Sequence, residues 1–531
     1  MEAFDLHTEG VKMFEGMVFH SVLLALPLLS LSVGWILSRV RRDGVENWLV
    51  RLRIFEFLVA LAILIETFTS QALEVSFFRA TLFNLVNVEF GLKGDELSSI
   101  VLTMVALLSL CIFRYSTRYL DGDSKRFAFY RNFQFTVFAV TFLILSNNLL
   151  MFFTAWLATS YGLHQLLLHF NERPQAVLAA RKKWWVSRIG DMCLLAGIVL
   201  TYIHFGTFNF TELFAIAKDQ EAMMTAAQGG GFYMIGLLFV IGAMTKSAQF
   251  PFHFWLPETM ETPTPVSALM HAGIINAGGY LIIRLSPILV HATFAHALLT
   301  LVGGITAVFG ALAMMSQTDV KRSLAYSTIS QLGFMMIQCG LGLYTLALFH
   351  IIAHGFYKAH AFLSTGSILE EVQAPKRNLS NLGLVVSYSI ALALVVLGLN
   401  WNSESTVLTS SLCIYFGLLV LALTQVIGSR KELFSALAKN TMGSLAYLSL
   451  GFGIYAGFEY FGGVYLNNVM PARLETDGVW MASILGVFSL FTLGIYAAKR
   501  MQDLADPTGR RLWMFFWNGG YIPQISTRLF R

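Results

Sequence analysis

Charge is scarce in this chain of 531 residues: Asp, Glu, Lys and Arg make up 13% of it, against 56% hydrophobic residues. So few charged groups cannot clothe the surface of a soluble fold, which excludes a soluble domain and implies an integral membrane protein. Cysteine is rarer still. The four, Cys111, Cys193, Cys339 and Cys413, lie singly in apolar stretches without CxxC spacing, which argues against a disulfide framework or a redox or zinc motif and makes them buried small hydrophobes. The loops hold no P-loop, dinucleotide fingerprint, nucleophile elbow or Cys/His metal cluster. Self-contained ATP, NAD or hydrolytic chemistry is therefore not expected, nor is a cofactor or metal in this chain. No Pro/Ser-rich linker or soluble insertion divides the sequence, so residues 1–531 read as one membrane domain.

What is abundant is hydrocarbon-length sequence. Windows of roughly 20 apolar residues, enough to cross about 30 Å of bilayer core, recur about fifteen times. They centre near Ala25, Ala62, Leu107, Ala139, Leu157, Leu194, Leu238, Gly278, Gly304, Gly333, Phe362, Ala391, Leu419, Tyr447 and Val487. The expected fold class is an all-α polytopic membrane protein. The first span follows acidic residues Glu2, Asp5, Glu9 and Glu15 rather than a basic n-region, so it reads as retained and not as a cleaved signal. Basic residues gather in every second loop: Arg39, Arg51 and Arg53; Arg114 to Arg131; Arg173 and Arg181 to Lys183; then Lys321, Lys376, Arg430 and Lys499. The positive-inside rule places those loops in the cytoplasm, with the N-terminus periplasmic and the C-terminus cytoplasmic in a bacterial inner membrane. The net charge of +5 follows from this topology, and nothing points to nucleic acid.

With no chemistry in the loops, function falls to the few intramembrane polar residues. Lys246 ends an apolar segment that begins near Gly231, and the chain then runs through Pro251, Pro257, Pro263 and Pro265. Proline blocks a continuous helix, and a break at membrane depth survives only where protein or water satisfies the freed backbone groups. A broken helix carrying a lysine implies internal water, with His271 just past the break. In FHIIAHGFYKAH, residues His350, His354 and Lys358 recur every four positions, near one helix face and about 6 Å apart along its axis. That spacing suits proton hops through one or two waters. Zinc is the competing reading of His–x3–His, but no third ligand is evident and Lys358 disfavours a cation. Asp191 follows Arg188 on the sixth span, and His164 lies on the fifth. Each intramembrane titratable group is a functional candidate with an expected partner. Desolvation disfavours a lysine's charge and a nearby carboxylate restores it, so moving the partner toggles a proton, which a coupled transporter requires.

The stretch GAMTKSAQFPFHFWLPETMETPTPVSALMHAGIINAGGYLIIR closely resembles the signature of the antiporter-like subunits of respiratory complex I and of Mrp antiporters. TDVKRSLAYSTISQLGFM, ALFHIIAHGFYKAHAFLSTGS, FGLKGDELSSIVLT and SRIGDMCLLAGI extend the resemblance over about Phe90 to Ser367. It implies two inverted five-helix repeats with discontinuous helices, residues 90–285 and 286–430, then C-terminal helices 431–500 and a cytoplasmic tail 501–531. It also implies that Lys246 is the central proton-carrying lysine and that His271, His350, His354, Lys358 and Asp191 fall on the same polar axis. Two departures stand out. Leu157 occupies the place of the family's switch glutamate, leaving His164 or Asp191 as substitutes, and Glu404 stands about where the second repeat usually has a lysine.

Length and the ending GRRLWMFFWNGGYIPQISTRLF, about thirty residues past the last span, resemble the membrane subunits of inorganic-carbon accumulation complexes. Their partner is a soluble or peripheral zinc protein resembling β-carbonic anhydrase. That resemblance implies cation flow energising CO2 hydration to bicarbonate in the partner. A complex I pump subunit and an Mrp-type Na+/H+ antiporter subunit are the alternatives, and carboxylates and lysines serve H+ and Na+ alike. Topology is directly testable: a reporter fused after Arg531 is expected to read cytoplasmic, and a periplasmic reading would reverse the orientation of every loop.

Overall fold

A computed structural model describes residues 2–40, 44–69, 72–82, 86–219, 221, 223, 231–366, 389, 391–397, 413–418, 420, 457–458, 460–466, 469–471 and 477–530. Glu404 and the spans expected near Leu419 and Tyr447 lie outside the described residues. The chain divides into two compact units, one of residues 1–238, 261–274 and 355–363, the other of residues 239–260, 275–354 and 364–531.

The first unit opens with α1 (Glu2–Leu37) and α2 (Val45–Thr69), followed by α3 (Glu96–Tyr119), α4 (Arg126–Ile144), α5 (Leu149–Leu167), α6 (Pro174–Phe205) and the short α7 (Phe210–Lys218). Polar residues at the boundaries cut these apolar runs into helices. Asp95 and Ser98 form a capping box at the start of α3, the Asn148 side chain accepts from the Met151 N–H at the start of α5, and Asn209 caps α7. Gly206, at φ 72°, ends α6 in the left-handed conformation that glycine adopts without cost.

Between α2 and α3 the fold departs from the all-α expectation. Strands β1 (Leu73–Leu82) and β2 (Val86–Gly94) pair antiparallel, with an irregularity between Ser76 and Phe78. The cause is legible in the alternation Leu73, Val75, Phe77 and Val86, Val88, Phe90, Leu92, a period of two that a scan for long apolar windows passes over. The Ser146-Asn147-Asn148 turn between α4 and α5 anchors the hairpin: Lys93 N–H donates to the Leu145 carbonyl at 2.8 Å and Asn148 Nδ2 to the Glu89 carbonyl at 2.6 Å.

In the second unit, α8 (Gly231–Lys246) supplies its C-terminal turns and leads into a 3-10 segment, Phe252–Glu261. Helix α9 (Thr264–Ala272) belongs to the first unit, where it packs on α3 and α5. The chain then breaks a second time at Gly273, passes a 3-10 turn Ile274–Asn276 and resumes as α10 (Ala277–Arg284). Helices α11 (Thr293–Ser316), α12 (Val320–Gly340), α13 (Tyr344–Leu363), α14 (Gly478–Met501), α15 (Pro507–Trp517) and α16 (Ile522–Phe530) follow. The sequence centred the α13 span on Phe362, which stands at its C-terminal end, because the apolar window ran on past Leu363. Among the described residues, seven stretches are long and apolar enough to cross a membrane, the interrupted Thr264–Arg284 among them.

Cysteine placement also departs from expectation. Cys339 is buried, but Cys111 is exposed and Cys193 and Cys413 are half-exposed. Apolar helix faces turned outward hold small hydrophobes as readily as the core does.

Close contact holds α11 to α12. A Cβ at Gly333 would stand 2.5 Å from the Ala307 backbone nitrogen and 2.7 Å from the Gly303 carbonyl oxygen, and Gly310 and Gly340 repeat the approach two turns along each helix. Ser330 Oγ donates to the Ala307 carbonyl at 2.8 Å within the same seam. Gly333→Leu must therefore push backbones apart, and overpacking typically costs about 1–3 kcal/mol. The expected outcome is a lower thermal unfolding midpoint of the detergent-purified chain, with Gly486→Ala as control, since a Cβ there meets Leu301 only at an ordinary 3.6 Å.

Candidate functional site

In the second unit, Lys246 is the last residue of α8 and 8% exposed. At about 1.5 Å per residue the 16 residues of α8 rise about 24 Å, so the lysine ends a helix shorter than the roughly 30 Å of a bilayer core. The next residues are stitched by side chains. Ser247 Oγ donates to the Ile275 carbonyl at 2.7 Å, Gln249 Nε2 to the Ser247 carbonyl at 2.9 Å, and Phe250 N–H to Thr306 Oγ1 at 3.0 Å. Ala248 is left-handed at φ 46°, a conformation that costs a non-glycine residue about 1–3 kcal/mol and persists where the surroundings over-determine it. Gly278 lets α10 close on this turn, since a Cβ there would collide with the Ser247 hydroxyl and the Ala243 carbonyl.

Reasoning from sequence missed His253 in this region. It is fully buried against the rings of Phe250 and Phe309, with centroids at 5.6 and 4.8 Å. Neither ring nitrogen has a hydrogen-bond partner among the described residues. Buried polar atoms of this kind are ordinarily met by water, and the only sequence signal was a histidine framed by aromatics after a proline.

Further along the second unit, His350 and His354 lie one turn apart on α13 with ring centroids at 6.0 Å. His350 Nδ1 is 3.0 Å from Gln338 Oε1, and Gln338 Nε2 donates to the Tyr415 hydroxyl at 2.9 Å. Gln338 and Tyr415 were also missed, since neither carries charge. Together they extend His350 into a hydrogen-bonded run through Gln338 to Tyr415, with the His354 ring one turn away.

In the first unit, Lys358 is fully buried on the C-terminal half of α13. His271, also fully buried, stacks on Phe362 at 4.3 Å, and Phe362 is one turn beyond Lys358, so histidine and lysine share a stripe. Gly355 allows this approach: a Cβ there would stand 3.0 Å from the Ala272 carbonyl oxygen. His271 was expected just past the proline-rich break. It lies in the last turn of α9, ahead of the second break at Gly273, where the chain needs a further interruption before α10.

The α5–α6 interface holds the sequence-predicted residues Asp191 and His164. Asp191 Oδ1 accepts from Trp156 Nε1 at 2.9 Å, and Asp191 Oδ2 is 2.6 Å from Arg188 Nη2. Trp156 adjoins Leu157 in the chain, so Asp191 is held at that turn of α5. Two turns along, Lys183 Nζ donates to the Ser160 carbonyl at 2.7 Å, and His164 lies one turn beyond Ser160 on α5. Lys182 and Lys183 were counted as loop cations, and they are buried at 0% and 3% exposure. Helix α6 runs for 32 residues, about 48 Å, and draws its N-terminal turns into the fold. Arg53, likewise counted as a loop cation, is buried on α2 at 1%. Among the described residues no group of three or more His, Cys, Asp or Glu side chains is placed to hold a metal ion.

Comparisons with known proteins agree with this architecture. Residues 146–426 match the family model described as NADH:quinone oxidoreductase/Mrp antiporter, TM, and residues 81–130 match the N-terminus of NADH-ubiquinone oxidoreductase (complex I) chain 5. The "Probable inorganic carbon transporter subunit DabB" of Hydrogenovibrio crunogenus is 35% identical over 469 residues, 85% of each chain. The "Probable inorganic carbon transporter subunit DabB2" of Halothiobacillus neapolitanus is 41% identical over 54% of this chain and 51% of its own length. A chain of the Mrp complex from Dietzia sp. DQ12-45-1b superposes with a TM-score of 0.64 at 22% identity, over 96% of this chain and 60% of that one. A family model matched over more than half of the sequence and a relative aligned along 85% of its length show that this chain belongs to the NADH:quinone oxidoreductase/Mrp antiporter transmembrane family.

Proposed function

We propose that this chain is the cation-translocating, energy-coupling membrane subunit of an inorganic-carbon uptake complex. Its ion flow, carried as H+ or Na+, drives CO2 hydration to bicarbonate in a zinc-containing, carbonic-anhydrase-like partner. The observation that carries the reading is the 35% identity along 85% of an inorganic carbon transporter subunit, joined to buried lysines and histidines at helix interruptions. Ion translocation needs groups that change protonation away from bulk water, and Lys246, His271, His350, His354 and Lys358 have that chemistry. Asp191, or His164 on the adjoining stripe of α5, takes the part of the absent switch carboxylate. Glu404 is the proposed titratable group of the second repeat.

The wider architecture belongs to the same proposal: about fifteen spans, two inverted five-helix repeats at 90–285 and 286–430, and a bacterial inner-membrane location with the N-terminus periplasmic. Discontinuous helices at the middle of the bilayer suit this scheme, because unwound backbone and half-helix ends face the ion path rather than lipid.

A respiratory proton pump is the second reading, favoured by the match of residues 81–130 to a complex I subunit. Gentle affinity purification from native membranes, with mass spectrometry and zinc analysis, separates the two. A large zinc protein in fixed ratio is expected; flavin and iron–sulfur subunits instead would establish the pump. Lys246→Ala is expected to abolish growth rescue under low inorganic carbon at normal protein level, and unimpaired rescue would remove Lys246 from the path. For the α13 relay, both His354→Ala and Lys358→Ala are expected to lower transport at least tenfold. If His354→Ala leaves transport untouched while Lys358→Ala abolishes it, water alone bridges the stripe.

A further inference from the structure

Outside the Lys246 and Lys358 regions, the first unit buries a second set of charges. Arg53 and Glu56 on α2 are 1% and 0% exposed, with Arg53 Nη1 2.7 Å from Glu56 Oε2. Arg53 Nη2 also donates to Gln134 Oε1 on α4. Arg53 Nε, Glu56 Oε1, Gln134 Nε2 and the Tyr130 hydroxyl, all buried, have no hydrogen-bond partner among the described residues. Four such atoms around one ion pair are more than packing leaves unmet, and buried polar clusters of this density hold water.

The cluster lies within a longer seam. On α4, Tyr130, Gln134 and Thr141 fall on one stripe at helical spacing, and Thr141 lies beside Glu56. On α2, Glu46, Arg53, Glu56 and Thr67 fall on another, and Glu46 to Thr67 rises about 31 Å, the thickness of the hydrocarbon. At one end Glu46 and Arg126 are 3.9 Å apart and 23% and 25% exposed, with Asp121 3.6 Å from Arg126 and open to solvent. Beyond Glu56, Thr103 Oγ1 donates to the Ala60 carbonyl at 3.2 Å, and the Thr67 and Ser99 hydroxyls meet at 2.9 Å.

We propose that α2, α3 and α4 enclose a second, hydrated proton path, distinct from the Lys246 and Lys358 positions, with Glu56 as its proton carrier. A proton enters beside Glu46 and passes by water along Tyr130. It binds a Glu56 carboxylate oxygen and leaves to the next water toward Thr103, Ser99 and Thr67. Only O–H bonds form and break. Arg53 is a positioning residue, holding the carboxylate in the seam through Gln134. The competing account is a clamp joining α2 to α4, and a clamp is replaceable by apolar side chains of similar volume.

The inference rests on the ion-translocating reading, and the test keeps the two apart. The full chain with its co-purifying partners is placed in liposomes and proton flux is read with an internal pH dye, for wild type, Glu56→Gln and the double variant Arg53→Met/Glu56→Met. Radiolytic hydroxyl labelling of Tyr130 is measured in parallel, since internal water labels a residue that bulk solvent does not reach. The expected result is at least a tenfold loss of flux in Glu56→Gln and in a normally folded double variant, with Tyr130 labelled in wild type and less so in the double. A double variant that conducts like wild type, or a Tyr130 that stays unlabelled, makes the pair a clamp and overturns the path. Should the double variant fail to fold, Glu56→Gln flux and the Tyr130 labelling of wild type decide alone. A wild type that conducts nothing overturns the translocation reading, and the path falls with it whatever the labelling.

Discussion

Hydrocarbon offers no hydrogen bonds, and that constraint governs what this chain does with its helix interruptions. Between Lys246 and Thr264, and again at Gly273, backbone groups lose their helical partners. The protein supplies replacements from Ser247, Gln249 and Thr306, and tolerates a left-handed alanine at 248 to do so. Regular helix would have hidden every polar group. Interruption puts Lys246, His253 and His271 beside irregular backbone, where water has hydrogen-bonding partners.

A second consequence is the way buried charge is held. Asp191 is fixed by Arg188 and by the Trp156 indole, and Glu56 by Arg53, so both carboxylates are ionic partners of an arginine. Arginine keeps its proton under all ordinary conditions, which makes it a holder of carboxylates rather than a carrier. Lysine and histidine change charge more readily when desolvation and neighbours change, and buried ones stand on α6, α8, α9 and α13.

Within the second unit, His350, Gln338 and Tyr415 form a hydrogen-bonded run of side chains that need carry no charge, which avoids the cost of burying further ions. The proposed seam of α2 to α4 likewise sets a single ion pair among several hydroxyls. Both arrangements keep the number of buried charges small.

The membrane class, a predominantly helical chain with several apolar spans, the interruption after Lys246 and the spacing of His350, His354 and Lys358 on one helix were legible in the sequence, because hydropathy and helical periodicity are local properties. The family resemblance rested on local motifs too, and the comparisons bear it out. Tertiary structure decided the rest. Arg53, Lys182 and Lys183 read as loop cations, since a charge near a span end is silent about whether a neighbouring helix covers it. The hairpin escaped a search tuned to helix-length windows. Gln338, Tyr415 and His253 became visible only when packing removed them from water. Burial and partnership depend on residues distant in the chain, and no local pattern encodes which helices will meet.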